Sequence, residues 1–447
     1  MSSDDHSAGG ESHSTVAQPS PRPAVATEAT TPVSATAVAS QPTPRPGLIG
    51  RTFDSLSLPE YRLFWLGTLL SMGATQMNMM TGSILVYDIQ NARIIAGIVG
   101  MSFAPTMLLF SLFGGVAVDR FDRRFIIQLA QVVGFVVAIV LGLLVLTDAI
   151  RWYHLLVAGL IQGAMFAFLA PARQTAIPRL VSRDRLSNAV ALNSAGMSLM
   201  SVAAPAVGGL LYETITPAGV YFLVAAMYLG SVFLTGMLPV MKPREGKRRA
   251  VFADIGVGFS YIGRTPIVFW LIFQGGITAL LSFPFRTLLP VYAKDVYRAS
   301  PSDVGVMMAV LGVGALVGTL FMAGLRSGQR RGLVILGASV LTGFALVWVA
   351  AVPWLLVGIA AMAIIGLGDS ARMALGQSLV LEAADDEYRG RVMSIFMMTW
   401  GLMPLGVLPL SAGFDLLGPQ MALGVMAVLM LAASVAFFVQ PRLRDLR

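Results

Sequence analysis

The chain has 447 residues, of which 56% are hydrophobic and only 12% are charged, and its mean hydropathy is +0.76. A water-soluble domain of ordinary composition carries about twice that share of charge, so this composition excludes a water-soluble fold. The chain has no cysteine and only three histidines, which excludes disulfide frameworks, iron–sulfur clusters and Cys/His zinc sites, and we predict no cofactor and no metal site.

The first 50 residues form a segment of their own, rich in Ser, Thr, Pro and Ala with scattered charge. Such a composition buries too little apolar surface to offset the entropy of ordering the chain. The segment also lacks the basic start, apolar core and cleavage site of a secretory signal peptide. Residues 1–50 are therefore predicted to be a disordered cytoplasmic tail.

Long charge-free stretches recur from Leu63 onward, and each is long enough to cross a hydrocarbon layer as a helix, which takes about 20 residues. They are too continuously apolar to be barrel strands, which alternate at every second residue. A turn at Pro353-Trp354 divides the longest stretch, 332–368, into two spans. We predict an all-α integral membrane protein with about twelve transmembrane helices, over 63–87, 94–118, 125–147, 152–172, 188–212, 214–241, 265–285, 304–325, 332–368 (two spans), 392–414 and 416–441.

The basic residues lie almost entirely in every second connection between these spans. One set of connections carries several times as many Lys and Arg residues as the alternate set. The richer set is predicted to be cytoplasmic, and because the number of spans is even, both termini are predicted to be cytoplasmic as well. The formal net charge of +8 is thereby explained without a nucleic-acid partner.

The most highly charged connection, at 241–264, separates six spans from six. We predict an N-terminal bundle over 58–241, a cytoplasmic linker over 242–264 and a C-terminal bundle over 265–441. Weak internal similarity supports a repeat: residues 204–209 match 408–413, and residues 122–124 match 329–331. Such repeats are common in transporters.

The connection between the second and third spans, residues 115–124 (GVAVDRFDRR), has the strongest motif. Gly115 allows two helices to approach closely, and Asp119 can accept hydrogen bonds from the amino terminus of a neighbouring helix. Arg123 and Arg124 can pair with acidic groups or lipid phosphates and thereby close a latch. The alternative is that these two arginines only determine topology.

This motif resembles the signature loop of the major facilitator superfamily: Gly, two small apolar residues, Asp-Arg, a second Gly and two basic residues. The Asp-Arg pair corresponds to Asp119 and Arg120, while Asp122 replaces the second Gly. The resemblance extends over residues 58–441. It implies two pseudo-symmetric six-helix bundles and secondary transport by alternating access.

Further segments resemble one branch of that superfamily. Residues 171–174 and 388–394 resemble bacterial siderophore exporters and macrolide efflux proteins. Pro205, Gly208 and Gly209 match the end of a motif associated with antiporters, in which such residues bend and thin a helix at the exchange cavity. Gly159 stands where proton antiporters of the superfamily often carry Arg. The resemblance thus implies export and leaves proton coupling open.

Ionisable side chains within the spans are candidates for the transport pathway, because each costs at least about 2.5 kcal/mol on insertion scales. Asp369 and Arg372 share one helical face, where they either line a cavity or gate or tie helices together. Arg286 follows Pro284, where we expect a proline break to expose backbone carbonyls to a cavity. Arg173, near the cytoplasmic end of the fourth span, is expected to be structural.

Neutral polar and soft apolar side chains give weaker candidates. Gln76, Asn78 and Asn193 can bind a substrate through hydrogen bonds, or they can join helices to one another. Trp400, with Phe103 and several methionines, can form a compliant apolar cavity, although core packing is the better explanation because methionine is abundant throughout the chain.

Two functions remain open from the sequence. The favoured function is a secondary transporter that exports a bulky, partly apolar small molecule such as a drug or siderophore across the cytoplasmic membrane. The alternative is a non-transporting sensor or binding subunit with the same fold. An enzyme is disfavoured, and the lack of a G-x-x-x-x-G-K-[ST] loop argues against ATP as the energy source. The predicted partners are the bilayer and the substrate, and protons if transport is proton-coupled. We expect a monomer because nothing in the sequence marks a dimer interface.

Overall fold

The computed structural model describes residues 54–241, 251–323, 331–385 and 387–440. The predicted tail at 1–50 and the first part of the linker, 242–250, lie outside them. The described chain is helical, with no strand. After a 3₁₀ turn at Asp54–Ser57 its helices are α1 Pro59–Gln90, α2 Arg93–Met101, α3 Phe103–Arg120, α4 Arg123–Leu146, α5 Trp152–Leu180, α6 Leu186–Thr214, α7 Thr216–Gly236, α8 Val251–Arg264, α9 Pro266–Tyr297, α10 Pro301–Ala323, α11 Arg331–Ala351, α12 Leu355–Ala383, α13 Arg389–Leu402, α14 Val407–Leu416 and α15 Pro419–Val439.

The helices account for the predicted spans. Ten segments of the described chain are long and apolar enough to cross a membrane. The two remaining spans are α1, which is 32 residues long and contains Gln76 and Asn78, and the pair α13 and α14. The turn predicted at Pro353-Trp354 is confirmed, since α11 ends at Ala351 and α12 begins at Leu355. The protein is a multi-pass membrane protein.

Three local predictions need correction. The second span is interrupted at Ser102, between α2 and α3, and the eleventh is interrupted by a 3₁₀ turn at Met403–Gly406. The proline break predicted next to Arg286 is wrong, because α9 runs as one helix through Pro284 and Pro290. Contacts with neighbouring helices can satisfy the backbone groups that a proline frees in a membrane helix.

The two halves of the chain repeat one packing pattern. In the first half α3 packs against α5 and α1 against α7, and in the second half α10 packs against α12 and α9 against α15. The closest approaches lie at glycines. A Cβ on Gly163 would lie 2.1 Å from the carbonyl oxygen of Phe103, and one on Gly366 would lie 2.0 Å from that of Leu311. These helices therefore pack backbone against backbone, as small residues permit in membranes.

The halves meet along two pairs of helices, α6 with α10 and α2 with α14. Large apolar side chains are exposed elsewhere on the helices, as expected where a surface faces acyl chains rather than water. They include Leu109, Phe113, Phe233, Leu320, Phe321, Phe344, Val428 and Leu429.

Candidate functional site

A cavity of about 190 Å³ lies between the two halves. The first half contributes three amide side chains to its wall, those of Gln76, Asn78 and Gln162. The second half contributes Arg286 and Thr287 from α9. The remaining wall is mostly apolar and includes Met79, Met80, Phe103, Leu155, Pro205, Leu289, Met308 and Leu311. The structure therefore brings together Gln76, Asn78, Arg286 and Pro205 from the predicted set.

The amide side chains of the first half are not all satisfied within the described chain. The Asn78 Nδ2 group donates to Gln162 Oε1 over 3.4 Å. The Oδ1 atom of Asn78 is buried and accepts no hydrogen bond within the described chain.

Arg286 is the most unusual group in the cavity. It lies deep in the protein, yet its side chain is exposed because it faces the cavity. Within the described residues it forms no hydrogen bond or ion pair. The carboxylate that acts on it electrostatically, Asp369, is bound to other groups. A cation without a partner therefore faces the cavity.

Asp369 and Arg372 form a pair behind the cavity wall, between α9 and α12. The Arg372 Nη2 atom lies 2.8 Å from Asp369 Oδ1, and Ser282 Oγ lies 2.9 Å from each oxygen of that carboxylate. Arg372 also donates to Thr278. Only 9% of the Arg372 side chain is exposed. The two residues predicted to pair do so, and neither lines the cavity.

The first half contains a matching contact that lacks the carboxylate. Arg173 on α5 donates to Ser71, the thirteenth residue of α1, as Arg372 on α12 donates to Thr278, the thirteenth residue of α9. Ala170 stands three residues before Arg173, where the second half has Asp369 before Arg372. At this position of the repeat, the second half therefore has an acidic side chain and the first half has alanine.

Another predicted residue, Asn193, is not among the described residues that line the cavity. Asn193 donates to the Met197 sulfur over 3.6 Å on its own helix and is not part of the wall. It lies twelve residues before Pro205, so the two residues are about 18 Å apart along the axis of α6. A contact of Asn193 with a substrate stays a prediction. The side chain of Trp400 lies outside the described part of the chain.

Asp122, which replaces the second Gly of the signature loop, caps α4. Its Oδ1 atom accepts hydrogen bonds from the backbone N–H groups of Arg124, at 2.7 Å, and Phe125, at 3.3 Å. Its Oδ2 atom accepts from the N–H of Met241, at 2.9 Å. The aspartate thus satisfies the first turn of α4 and attaches it to the chain beyond α7.

The basic residues of that loop have separate roles. Arg123 is buried and donates to Thr175 Oγ1 over 3.1 Å, and Arg124 donates to the carbonyl oxygen of Leu238. Arg120 is exposed. The described contacts of Arg123 and Arg124 join the spans of one half, and their pairing with acidic groups or lipid phosphates stays a prediction. The surroundings of Gly115 and of the Asp119 side chain lie outside the described part of the chain.

A polar network joins the two halves at the end of the helices opposite the arginine-rich connections, which we call the outer end. Asp295 at the end of α9 is central to it. The Asp295 carboxylate accepts from Arg93 Nε over 2.6 Å and from the Tyr87 hydroxyl. Arg93 also lies 3.6 Å from Asp415 of α14. These contacts connect α1 and α2 of the first half to α9 and α14 of the second.

Further contacts extend the network beside Asp295. Lys294 forms an ion pair with Asp88, which also accepts a hydrogen bond from Tyr212 over 2.7 Å. Glu213 at the end of α6 accepts from the backbone N–H and the hydroxyl of Ser302, at 3.0 and 2.6 Å. The outer end of the cavity is thus closed by contacts that must break if the halves separate there.

The crossing of α6 and α10 near this end depends on Gly209. A Cβ on Gly209 would lie 2.4 Å from the carbonyl oxygen of Pro301, whereas a Cβ on Gly208 would come no closer than 3.5 Å, to Met77. We expect Gly209→Ala to push the helices apart and lower the unfolding free energy by about 1–3 kcal/mol. Gly208→Ala is the matched control. Thermal unfolding in detergent measures both, and equal melting temperatures would contradict the close packing inferred here.

The family model for transmembrane secretion effectors matches residues 51–446. The chain belongs to this family. The resemblance to the exporter branch of the major facilitator superfamily is therefore confirmed, and the chain is an exporter. The family and its relatives are transporters rather than enzymes.

Curated relatives agree with this placement. An enterobactin exporter, EntS, from Shigella boydii is 28% identical over 300 residues, which cover 66% of this chain and 71% of that protein. A second Shigella boydii enterobactin exporter is 26% identical over 340 residues, which cover 75% of this chain and 80% of that protein. The enterobactin exporter of Escherichia coli is 27% identical over 300 residues, which cover 66% of this chain and 71% of that protein.

Solved structures share the fold at low sequence identity. A nucleoside transporter superposes with a TM-score of 0.72 at 15% identity, covering 86% of this chain and all of that one (100%). A bacterial homologue of the human lysosomal transporter Spinster, inward-facing and unoccupied, gives a TM-score of 0.66 at 14% identity, covering 86% and 98%. These similarities establish the major facilitator fold of two six-helix bundles.

Proposed function

We propose that this exporter moves a siderophore-like molecule, of which enterobactin is the first to test, out of the cytoplasm through the cavity between its halves. The observation that carries the proposal is a cavity bounded by both halves and closed at its outer end by the Asp295 network. Amides, one cation and soft apolar side chains suit a bulky molecule that is partly polar. The relatives named as enterobactin exporters support the choice of substrate.

The proposed orientation follows from charge. The arginine-rich connections face the cytoplasm by the positive-inside rule, so the outer end faces away from it and both termini are cytoplasmic. The membrane is then the inner membrane. Alternating access requires the two halves to rock about the cavity, so that the outer network breaks when the cavity opens outward. A monomer contains every part that this cycle needs.

We also propose that export is coupled to proton entry, which makes the protein an antiporter. Asp369 is the carboxylate that lies well inside a span of the described chain, and its partner Ser282 lies one helical turn before Arg286 on α9. Movement of α9 that accompanies substrate binding at Arg286 would change the distance from Ser282 to Asp369. A carboxylate whose partners change in this way can take up a proton in one state and release it in the other.

Flux measurements in vesicles test this function. We expect everted membrane vesicles that contain the protein to accumulate enterobactin when their interior is acidic, and we expect a protonophore to stop that accumulation. Vesicles prepared in parallel without the protein are the control for diffusion. Saturable binding of enterobactin with no flux under any gradient would instead identify a sensor, and an absence of both binding and flux would exclude this substrate.

A further inference from the structure

The described wall of the cavity carries positive charge and no negative charge. Of the described residues that form the wall, Arg286 is the charged one, and no Asp or Glu is among them. An exporter of cationic drugs would need an acidic or aromatic-rich wall to compensate the charge of its substrate. This cavity presents the opposite sign.

Within the described residues, Arg286 forms no ion pair and no hydrogen bond. The carboxylate that acts on it through space, Asp369, already binds Arg372 and Ser282. A cation held within the membrane-spanning region is costly unless it is paired or hydrated. The N–H donors of the Arg286 guanidinium are therefore available to bind an anionic group of a ligand.

The facing wall is adapted to the rest of such a ligand. Met79 is the twenty-first residue of α1, as Arg286 is the twenty-first of α9, so the two stand at equivalent positions of the repeated bundles. Met79 also lines the cavity and is 44% exposed, and Met80 and Phe103 lie beside it. The repeat thus places a polarizable apolar surface in one half where the other half has a cation.

We propose that the cavity selects amphiphilic anions, with the negative group bound at Arg286 and the apolar body against Met79 and Phe103. The inference rests on the proposed function in taking this cavity as the substrate site. It goes further in fixing the sign of the substrate charge and the residue that recognises it. Neutral and cationic molecules of the same size are then poor ligands.

Tetraphenylborate and tetraphenylphosphonium provide a direct test, because the two ions have nearly the same size and shape and opposite charge. Their dissociation constants are measured with the purified full-length protein in nanodiscs, with empty nanodiscs as the reference. We expect the wild-type protein to bind the anion at least about tenfold more tightly than the cation, since Coulomb interactions are strong in a poorly solvated cavity. In Arg286→Gln this preference should fall to about one, and in Arg286→Lys most of it should remain.

Two further variants protect the result against misfolding and general charge effects. Arg286→Met copies the equivalent residue of the first half and replaces Arg286→Gln if that variant does not fold. Arg62→Gln removes an exposed charge outside the cavity and should keep the wild-type preference. An equal affinity for both ions, a preference for the cation, or a preference that survives in folded Arg286→Gln or Arg286→Met would overturn the proposal.

This outcome is separable from that of the proposed function. A protein with the anion preference that does not export enterobactin would refute that substrate and leave the charge selectivity intact. A protein that exports enterobactin with no anion preference would refute the selectivity alone.

Discussion

Asp295→Asn is expected to reduce enterobactin export at least tenfold by destabilising the closed outer end. The substitution keeps the side-chain volume and removes the charge that holds Arg93 Nε at 2.6 Å. Arg93 is then left with Asp415, at 3.6 Å. Only 15% of the Asp295 side chain is exposed, so the pair is less screened than a surface ion pair. A loss of about 1.4 kcal/mol suffices for a tenfold shift between the two states.

Asp148→Asn is the matched control for this variant. Asp148 lies in the exposed connection after α4, at the same end of the protein, and its side chain has no partner within the described chain. The substitution changes the net charge by the same amount, and Asn tolerates the positive φ of 53° at that position. Wild-type export by both variants would show that the network does not control the cycle.

Asp369→Asn is expected to lower the unfolding free energy by about 3 kcal/mol, because it leaves a buried cation without its counter-ion. Arg372 is only 9% exposed and would keep Thr278 as its partner. The double variant Asp369→Asn with Arg372→Gln removes both charges and should recover most of the lost stability. Thermal unfolding and folded yield in detergent measure both effects, and a fully stable single variant would show that the pair contributes little.

The double variant also isolates the role of the carboxylate in coupling. We expect it to bind enterobactin with nearly wild-type affinity and to lose the acceleration of export by a pH gradient, since no group remains at this point to carry a proton. Arg372→Gln alone keeps the carboxylate and is the matched control for altered packing. Gradient-driven export by the double variant at the wild-type rate would exclude Asp369 as the proton carrier.

The spans could be predicted from the sequence because they depend on a local quantity, the length of an apolar stretch relative to the membrane. The turn at Pro353-Trp354 was predictable for the same reason, since proline interrupts a helix through its own geometry. Pro284 and Pro290 carry the same local signal, yet α9 continues through them. Packing against neighbouring helices determines whether a helix continues through a proline, and these contacts cannot be deduced from a single sequence.

The outer network was missed because its partners are remote in the sequence. Arg93 and Asp295 are 202 residues apart, and in the sequence Arg93 stands out only as one of the few basic residues in the outer connections. The sequence does contain one indication of this network: the few charged residues at the outer ends of the spans include both acidic and basic side chains, which can pair with each other. The pairing of Asp369 with Arg372 succeeded because it lies within one helical turn.

The proposed transport cycle requires the outer end to open when the Asp295 network breaks and to close when it forms. Because the chain has no cysteine, spin labels can be attached at Ala149→Cys in the first half and Trp354→Cys in the second, both exposed at the outer end. Pulsed electron resonance then measures the distance between them. We predict a short distance in the wild-type background and a second, longer population that becomes dominant with Asp295→Asn. One unchanged short distance in Asp295→Asn, together with loss of export, would contradict the account.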